Sequence, residues 1–337
     1  MAAVDVLVAP DSFKGTATAR TLAAAGVAAA RRAGWGAGAC PLSDGGEGFA
    51  DVLEVLGGEE RTASVVDARG RPLTAGWRLV GDLAVVETAR AIGLVGSGGA
   101  EGNDPVGATS RGAGLLVAAA IDAGVRRVLV GLGGSATTDG GAGAVAALEE
   151  AGGTGSVEVV VACDVRTPFR EAAAAFGPQK GATPTQVVEL RGRLDALADH
   201  YLARYGLDVD ALPGSGAAGG LAGGLAALGA TLRPGFDVVA EAVGLDGWLV
   251  PLDLVVTGEG CLDASSWEGK VVGGVVALAR SRNLPVLVVA GRFGPGGPRP
   301  GPGLGFVSLT DRFGADRSRA DPAGCFAAVL AGDLPAP

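Results

Sequence analysis

Short runs of β-branched and other apolar residues alternate along this chain with longer runs rich in alanine and leucine. The first apolar run is Val4-Asp5-Val6-Leu7-Val8, and the helical run that follows it ends near Gly34. Near-continuous apolar strands separated by helices are typical of a parallel sheet that is covered on both faces. The pattern therefore predicts an α/β protein. Further strands are predicted at residues 39–42, 126–132, 157–162, 254–257, 285–290 and 306–309.

The stretch from Ala63 to Val86 follows a different pattern. Turn sequences at Arg69-Gly70-Arg71-Pro72 and at Gly81-Asp82 divide it into short segments. Glycine and proline at such points favour tight turns between neighbouring strands. This stretch is therefore predicted to be an antiparallel excursion of two or three strands.

The length of 337 residues suggests about two domains at roughly 150 residues each. We predict that residues 1–62 and 251–337 form one domain, with a parallel sheet of the flavodoxin or Rossmann type. Residues 63–250 are predicted to form a second α/β domain that is inserted into the first.

The composition excludes several classes of partner. The net charge of −9 and the absence of a basic run argue against a nucleic-acid-binding surface. The cysteines Cys40, Cys163, Cys261 and Cys325 form no CxxC pair, which is typical of free thiols in a reducing cytosol. No secretory signal is visible, and residues 213–232 are too rich in glycine and alanine to favour a membrane span. We therefore predict a cytoplasmic protein without nucleic-acid or membrane partners.

Lysine is rare in this chain, which has only Lys14, Lys180 and Lys270. Each of the three adjoins a glycine, whereas the other cationic side chains are arginines. Lysine is a compact charge on a flexible stem and suits a phosphate or a mobile anion. The three lysines are therefore candidates for anion binding, and chance survival on the surface is the alternative.

Polar residues cluster at the points where predicted strands end. In open parallel sheets, ligands bind outside the carboxyl ends of the strands. These positions together predict a functional site lined by carboxylates and glycines. They comprise Asp11, Ser12 and Lys14; Ser43-Asp44-Gly45-Gly46-Glu47-Gly48; Gly133 to Gly141; Asp164; and Glu259 with Asp263.

Some of these residues also have a purely structural interpretation. Asp44 and Glu47 have the spacing of a capping box, and Asp139 precedes a helical run that it would cap. Ser110 similarly precedes a helix, in whose first turn Arg111 opposes the helix dipole. A bound anion would compensate for that unfavourable charge, so a functional role is favoured for Arg111.

The glycine-rich segments at residues 131–143 and 213–224 each lead into a helix. Glycines let backbone N–H groups approach an anion at a helix N-terminus. Neither segment is a Walker loop or a good dinucleotide fingerprint. His200 is the only histidine, so a Ser/His or Cys/His mechanism is poorly supported. Carboxylates combined with lysines fit phosphoryl transfer instead.

Several segments carry a family resemblance, and they cover nearly the whole chain. They are Ala9-Pro-Asp-Ser-Phe-Lys-Gly15, Ser43 to Gly48, Val86-Glu-Thr-Ala-Arg-Ala-Ile-Gly-Leu94, Thr109-Ser-Arg-Gly112, Gly131 to Gly143, Val161 to Val165, Phe176-Gly-Pro-Gln-Lys-Gly181, Pro213 to Gly220, and Thr257-Gly-Glu-Gly260 with Asp263 and Gly269-Lys270. In this order they resemble the type-1 glycerate kinases. The chain departs from the family pattern at Cys261 and Ser265, where Arg and Gln are usual, and in a shortened stretch between Ala151 and Val157.

The resemblance implies two α/β domains with the active site in the cleft between them. It also implies transfer of the ATP γ-phosphate to D-glycerate with Mg²⁺, giving 2-phosphoglycerate. The expected partners are D-glycerate and ATP, and the chain is expected to be a monomer or a homodimer. The rival hypotheses are a kinase of another small hydroxy acid, a metabolite-binding protein that resembles a kinase, and an NAD-dependent dehydrogenase.

Roles for individual residues follow as hypotheses from this resemblance. Asp164 is expected to accept the proton of the glycerate hydroxyl, by analogy with kinase catalytic aspartates. The predicted catalytic residues are Lys14, Asp44, Asp164 and Lys270. The predicted substrate-binding residues are Asp11, Ser12, Ser110, Arg111 and Lys180. The predicted phosphate- or nucleotide-binding residues are Gly133, Gly134, Ser135, Gly216 and Gly219. The predicted metal ligands are Glu47, Glu259 and Asp263.

Overall fold

The computed structural model describes residues 5–249 and 252–334, which form an α/β protein with two β-sheets. The strands are β1 (Val6–Val8), β2 (Ala37–Ala39), β3 (Glu59–Val66), β4 (Pro72–Val80), β5 (Leu83–Glu87), β6 (Arg127–Gly131), β7 (Glu158–Cys163), β8 (Thr231–Pro234), β9 (Leu254–Leu262), β10 (Val286–Phe293) and β11 (Leu304–Ser308). The helices are α1 (Ala19–Arg32), α2 (Phe49–Val52), α3 (Ala89–Ile92), α4 (Gly99–Gly102), α5 (Arg111–Asp122), α6 (Ala142–Glu150), α7 (Ala172–Phe176), α8 (Pro184–Tyr205), α9 (Leu221–Ala227), α10 (Gly235–Ala242), α11 (Leu245–Trp248), α12 (Val271–Ser281), α13 (Leu309–Phe313), α14 (Ala315–Ala320) and α15 (Pro322–Asp333).

The chain divides into two compact units. The first unit comprises Met1–Asp44, Asp51–Val55 and Phe236–Pro337, and the second comprises Gly45–Ala50 and Leu56–Gly235.

The predicted domain boundaries differ from the limits of these units. The predicted boundary after residue 62 falls inside β3, whose whole length pairs with β4 in the second unit. The predicted boundary between residues 250 and 251 lies outside the described residues. The division into independently folding domains therefore stays a prediction.

The first unit is built on a sheet with the strand order β11-β10-β9-β1-β2. Every neighbouring pair in this sheet is parallel, as predicted. The strand β1 is fully buried, and α1 and α15 pack together over the sheet. Gly26 of α1 makes this close packing possible. A Cβ there would stand only 2.9 Å from side-chain atoms of Phe326 and Val8.

The second unit is built on a sheet with the order β3-β4-β5-β6-β7-β8. The pairs β3–β4 and β4–β5 are antiparallel, which confirms the predicted excursion. The pairs from β5 to β8 are parallel. The edge strand β8 was not predicted, because its sequence Thr-Leu-Arg-Pro has neither an apolar run nor apolar alternation.

The weakly hydrophobic stretch at residues 213–232 is divided between a 3₁₀ turn, the short helix α9 and the start of β8. In the described ranges, no helix has the length and apolarity needed to cross a membrane.

Candidate active site

A pocket of about 460 Å³ opens in the first unit beyond the ends of β1, β9 and β10. Its walls bring together many of the residues that the sequence singled out. They are Asp11, Ser12, Lys14, Asp44, Glu259, Asp263 and Lys270. The rule that ligands bind beyond the carboxyl ends of parallel strands therefore predicted this grouping.

The backbone beyond β1 holds the first of these residues in place. The ladder between β1 and β9 continues past the strand, because the amide of Ala9 donates to the Val256 carbonyl and that of Asp11 to the Gly258 carbonyl. The Thr257 hydroxyl donates to the Ala9 carbonyl at 2.8 Å. Asp11 is thereby carried to the level of Glu259 on the neighbouring strand.

Three carboxylates in this pocket, those of Asp11, Asp44 and Glu259, interact with one another. The pKa of Asp11 is raised to about 8, chiefly by burial and further by the neighbouring charge of Asp44. Burial also raises the pKa of Glu259 to about 7, with smaller contributions from Asp263 and Asp44. The Oε1 atom of Glu259 and the hydroxyl of Ser12 are buried without a hydrogen-bond partner in the described structure. Such atoms call for a ligand or water.

Two of the lysines stand beside these acids. The Nζ atom of Lys14 lies 3.6 Å from Oδ2 of Asp44, which is buried, whereas Lys14 itself is 59% exposed. Lys270 occupies the N-cap position of α12 and donates to the Ser265 hydroxyl at 3.1 Å. Its charge lowers the pKa of Glu259 and thus opposes the effect of burial. The pocket therefore contains flexible cations next to buried acids.

Asp263 has a structural role within this pocket. It caps the 3₁₀ helix Ala264–Trp267, where its Oδ1 accepts from the Ser265 amide at 2.8 Å and from the Ser265 hydroxyl at 2.7 Å. The Ser265 hydrogen bond is the main reason why the pKa of Asp263 is lowered.

The predicted metal ligands Glu47, Glu259 and Asp263 do not form a protein-only metal centre. Among residues 5–249 and 252–334, no three His, Cys, Asp or Glu side chains are grouped as such a centre requires. Glu47 is exposed and belongs to the second unit. A Mg²⁺ site in this protein would therefore need ligands from water and substrate as well.

The third lysine lies in the second unit, in a buried polar cluster. Lys180 is only 3% exposed, and its Nζ donates to the Thr137 carbonyl at 2.5 Å and to the Ser135 hydroxyl at 3.1 Å. Burial lowers the pKa of Lys180 to about 7. Lys180 and Ser135, predicted as substrate and nucleotide ligands, are thus brought into contact.

Asn103, which the sequence did not single out, completes this cluster. Its Nδ2 donates to the carbonyls of Ala136 at 2.9 Å and Lys180 at 3.0 Å. Among the residues that the structure describes, its buried Oδ1 has no hydrogen-bond partner, and the same holds for the hydroxyls of Thr138 and Ser215. Asn103 could not be recognised from its local sequence, because a lone asparagine before an aspartate is typical of any turn.

The predicted nucleotide-binding glycines are also packing residues. A Cβ on Gly133 would lie 2.5 Å from the amide nitrogen of Glu47, and one on Gly216 would lie 2.4 Å from the Pro168 carbonyl oxygen. Gly219 has a positive φ of 71°, and a Cβ there would lie 2.1 Å from the Thr137 carbonyl oxygen. Gly134 also has a positive φ, of 68°. Close backbone packing therefore accounts for Gly133, Gly216 and Gly219, and the positive φ accounts for Gly134. Nucleotide binding by these glycines stays a prediction.

Ser110 joins α5 to α6 inside the second unit. Its amide and hydroxyl donate to Oδ2 of Asp139 at 2.7 and 2.9 Å, and its hydroxyl accepts from the Ala144 amide at 2.9 Å. Asp139 also accepts from the amides of Gly141 and Gly143. The N-cap of α6 is Gly141 and not Asp139 as predicted, although the Asp139 carboxylate accepts from the amide of Gly143 in the first turn. Ser110 is buried as part of the same network.

Arg111 forms a two-pronged ion pair with Glu150, at nitrogen–oxygen distances of 3.1 and 2.5 Å. The Glu150 carboxylate thus supplies the anion that the position of Arg111 at a helix start requires. A bound ligand is therefore not needed to balance Arg111 against the helix dipole, and substrate binding by Arg111 stays a prediction.

Asp164 directly follows β7, as the sequence predicted, and is half-buried in the second unit. Its charge adds to burial in raising the pKa of Cys163 to about 11. The role of Asp164 as proton acceptor stays a prediction.

The sequence reasoning missed several residues of the first-unit pocket and one support in the second unit. Arg292 comes shortly after the predicted strand at residues 285–290, so the rule that identified Asp11 applies to it as well. Arg319 lies on α14, and its local sequence does not mark it as a site residue. Buried Glu87 accepts from the amides of Gly48 and Ala50 and so fixes that segment. The additional polar residues of the pocket are Thr16, Arg292, Thr310, Ser318 and Arg319.

Comparisons with known proteins show the family to which the chain belongs. The sequence pattern of the Glycerate kinase family matches residues 6–153 and 150–301. The Glycerate 2-kinase of Escherichia coli K12 is 37% identical over 328 residues, which cover 85% of this chain and 84% of the relative. The Glycerate kinase of Halalkalibacterium halodurans is 36% identical, with 86% of each chain covered.

A solved structure shares the fold over nearly the whole chain. It is the crystal structure of a protein described as glycerate kinase 2 from Salmonella typhimurium LT2, which is 33% identical. The TM-score is 0.78, and 98% of each chain is covered. These matches extend over both units, and they place the chain among kinases rather than nicotinamide-dependent dehydrogenases. The chain belongs to the Glycerate kinase family.

Proposed function

We propose that this protein transfers the γ-phosphate of ATP to D-glycerate and gives 2-phosphoglycerate. The observation that carries the proposal is the first-unit pocket, in which buried acids stand beside Lys14 and Lys270. The family membership and the similarity to the Glycerate 2-kinase of Escherichia coli support the choice of substrate and product.

Phosphoryl transfer depends mainly on positioning and on neutralising the charge of the phosphates. Lys14 and Lys270 both line the pocket, and both carry a compact charge on a flexible stem. In this proposal they bind phosphate oxygens of ATP. Their acidic neighbours keep the two ammonium groups oriented toward the pocket before the nucleotide enters.

Glu259 has the properties required of a general base in this pocket. A base works best when its pKa lies near the working pH, and burial places that of Glu259 at about 7. Its Oε1 atom has no hydrogen-bond partner in the described structure. Glu259 would accept the proton of the glycerate hydroxyl as the oxygen attacks phosphorus. Asp164 stays the alternative acceptor.

The acids of the pocket also fit a Mg²⁺ ion. Mg²⁺ in kinase sites is bound through one or two carboxylates, with water and substrate phosphates completing its shell. Asp44 and Asp11 would hold it, because burial and then the neighbouring charge of Asp44 raise the pKa of Asp11, and a cation would offset both effects. When bound, Mg²⁺ neutralises charge on the phosphates.

We propose that the protein acts in the cytoplasm, because the reaction uses ATP. The four cysteines are free thiols, which agrees with a reducing compartment.

The direct test is to incubate the protein with ATP, Mg²⁺ and D-glycerate and to measure ADP release. Coupling to enolase distinguishes the products, since enolase consumes 2-phosphoglycerate and not 3-phosphoglycerate. We expect turnover with D-glycerate and a signal from enolase. A folded sample without turnover would disprove the proposal, and turnover without an enolase signal would disprove the proposed product. Lactate and glycolate as acceptors test the rival hypothesis of another hydroxy acid.

A further inference from the structure

We propose that Arg292 and Arg319 form a carboxylate-binding subsite in the first-unit pocket and thereby select an acid as the phosphate acceptor. This inference rests on the proposed function and deepens it. Both arginines line the pocket, and neither belongs to a sequence motif that the family resemblance used.

The register of the sheet fixes the position of Arg292. Within the parallel pair β9–β10, Arg292 stands opposite Cys261, and Ala290 stands opposite Glu259. Side chains two residues apart on a strand point to the same face, at a rise of about 3.3 Å per residue. Arg292 therefore lies on the same face as Glu259, about 7 Å farther along the strands. The side chain directly beside it is that of Cys261, which is uncharged and small.

Hydroxyl groups hold α13 and α14 against the end of β10. The Thr310 hydroxyl donates to the Gly291 carbonyl at 2.8 Å and lies 3.2 Å from the Ser318 hydroxyl. The Ser318 hydroxyl also donates to the Ala315 carbonyl at 3.1 Å. These contacts anchor the segment that carries Arg319, the residue after Ser318, next to the strand that carries Arg292. The two guanidinium groups thus belong to one wall of the pocket.

In the described ranges, neither Arg292 nor Arg319 forms an ion pair or a side-chain hydrogen bond. Other arginines of the chain, such as Arg111 and Arg204, are paired with glutamates. A planar guanidinium binds a carboxylate through two parallel hydrogen bonds. Two unpaired guanidiniums facing one pocket therefore favour an anionic group of the ligand.

The distribution of charge in the pocket indicates which anion this is. Lys14 lies beside Asp44, and the charge of Lys270 lowers the pKa of Glu259. These cations therefore belong to the acidic wall, the part of the pocket lined by Asp11, Asp44 and Glu259, where phosphates and metal are proposed to bind. In the part of the pocket lined by Arg292 and Arg319, the arginine wall, neither guanidinium forms an ion pair with the nearby acids Glu259 and Asp263 among the described residues. The remaining anion of the reaction is the carboxylate of the acceptor, and the arginine wall is where it would bind.

The test compares kinetic constants of the Arg292→Ala and Arg319→Ala proteins with those of the wild type. Each change is expected to raise the KM for D-glycerate by about ten- to hundredfold, the range for hydrogen bonds to a charged group. The KM for ATP should stay within about twofold, because the phosphates bind at the other wall. Arg191→Ala is the matched control, an exposed arginine on α8 outside the pocket. Thermal unfolding checks that each protein is folded.

A second variant tests the place of the charge. Cys261→Arg in the Arg292→Ala protein restores a guanidinium at the paired position on β9. It is expected to bring the KM for D-glycerate back toward the wild-type value. Glyceramide, which lacks the negative charge, should be an equally poor substrate for the wild type and for Arg292→Ala.

Several results would overturn the subsite. They are a rise in the KM for ATP instead of glycerate, no change in either KM, and an unchanged preference for glycerate over glyceramide in both variants. Calorimetric binding of D-glycerate separates this test from that of the proposed function. A wild type that binds D-glycerate without turnover disproves the function, and the affinities of the variants then still decide the subsite. A wild type that does not bind D-glycerate disproves both.

Discussion

Lys180 is buried among neutral partners, whereas Lys14 is exposed beside an acid. The folded protein therefore releases the Lys180 proton at a much lower pH than the unfolded chain, since burial lowers its pKa from 10.5 to about 7. Between these two values the unfolded state binds more protons. Stability from this group consequently rises with pH across that window, and below pH 7 the buried charge is a cost.

We predict that wild type gains stability relative to Lys180→Met as the pH rises from 7 to 10. The gain should approach about 1.4 kcal/mol per pH unit, the limit for one proton. Urea unfolding of both proteins at pH 6, 7, 8 and 9 measures it. Arg191→Met is the matched control, because an exposed arginine stays protonated in both states and its difference from wild type should be flat over this range. A flat difference for Lys180→Met as well would contradict the prediction.

A second prediction concerns Glu259 and its effect on turnover. Glu259→Gln removes the proposed proton acceptor and should lower kcat by about 10²- to 10⁴-fold. In the wild type, kcat/KM should rise with pH through about 7, because the carboxylate must be ionised to accept a proton. The nearby exposed Glu268→Gln is the control. If Asp164→Asn shows the larger loss and Glu259→Gln keeps the pH profile, Asp164 is the base instead.

The sequence predicted the chemical type of these residues better than their roles. Acids and lysines after strand ends were recognised because the strands themselves are apolar and easily seen. The partner of each side chain was not predictable. Glu150, for example, lies far along the chain from its partner Arg111. Similarly, Lys14 and Lys180 have the same local pattern of neighbours in the sequence. Burial, which separates Lys180 from Lys14, is a property of the fold.

At the scale of elements, the packing of α5 against α6 depends on glycine. A Cβ on Gly114 would stand 2.5 Å from the Ala144 carbonyl oxygen, a backbone atom that cannot move aside alone. The same close approach allows the Ser110 hydroxyl to accept from the Ala144 amide. Gly192 in α8 offers a contrast, because a Cβ there meets nothing within 4 Å.

We predict opposite effects for the same substitution in these two helices. Gly192→Ala should raise the free energy of unfolding by about 0.5–1 kcal/mol, since alanine favours the helix and meets no neighbour. Gly114→Ala should lower it by about 1–3 kcal/mol, because the helices must separate. Urea unfolding of the two single variants gives both values. Equal stabilisation by both changes would show that α5 and α6 are not packed as described.

Some strands could be located closely from the sequence, and others could not. Buried parallel strands such as β6 were predicted closely, because each is a continuous apolar run bounded by polar residues. The short strand β2 covers Ala37–Ala39 instead of the predicted residues 39–42, since its sequence Ala-Gly-Ala has no strand preference of its own. The neighbouring β1 holds it in place by pairing along its length.

At the scale of the whole molecule, the first unit contains sequence from both chain ends, and the long segment between them forms most of the second unit. Strand pairs such as β1–β9 therefore join residues that are far apart in the sequence, Val6 with Leu254 for example. Alternation of strands and helices indicated both sheets. The changeover points were less visible, because Gly57 and Gly58 before β3 mark a turn without showing that the next strand joins the other sheet.

The raised pKa values of two acids in the first-unit pocket make the stability of the whole protein depend on pH, and a bound cation should change this dependence. Asp11 and Glu259 have raised pKa values, about 8 and about 7, so the folded protein retains protons that the unfolded chain has released. Stability from these acids is therefore lost as the pH rises from about 4 through 8. A cation bound to the carboxylates would favour their ionised form and reverse that loss.

We predict that Mg²⁺ with ADP raises the melting temperature more at pH 8.5 than at pH 6.5. At pH 6.5 the metal must displace protons from the acids, whereas at pH 8.5 it meets carboxylates that are already ionised. A ligand at a hundred times its Kd adds about 2.7 kcal/mol of stability, so a shift in Kd with pH is readily seen. Melting curves of the wild type at both pH values, with ADP alone as reference, measure the effect. In an Asp11→Asn, Glu259→Gln protein, the gain from Mg²⁺ should no longer depend on pH. An equal gain at both pH values in the wild type would mean that Asp11 does not contact the metal and that the charge of the metal does not act on Glu259.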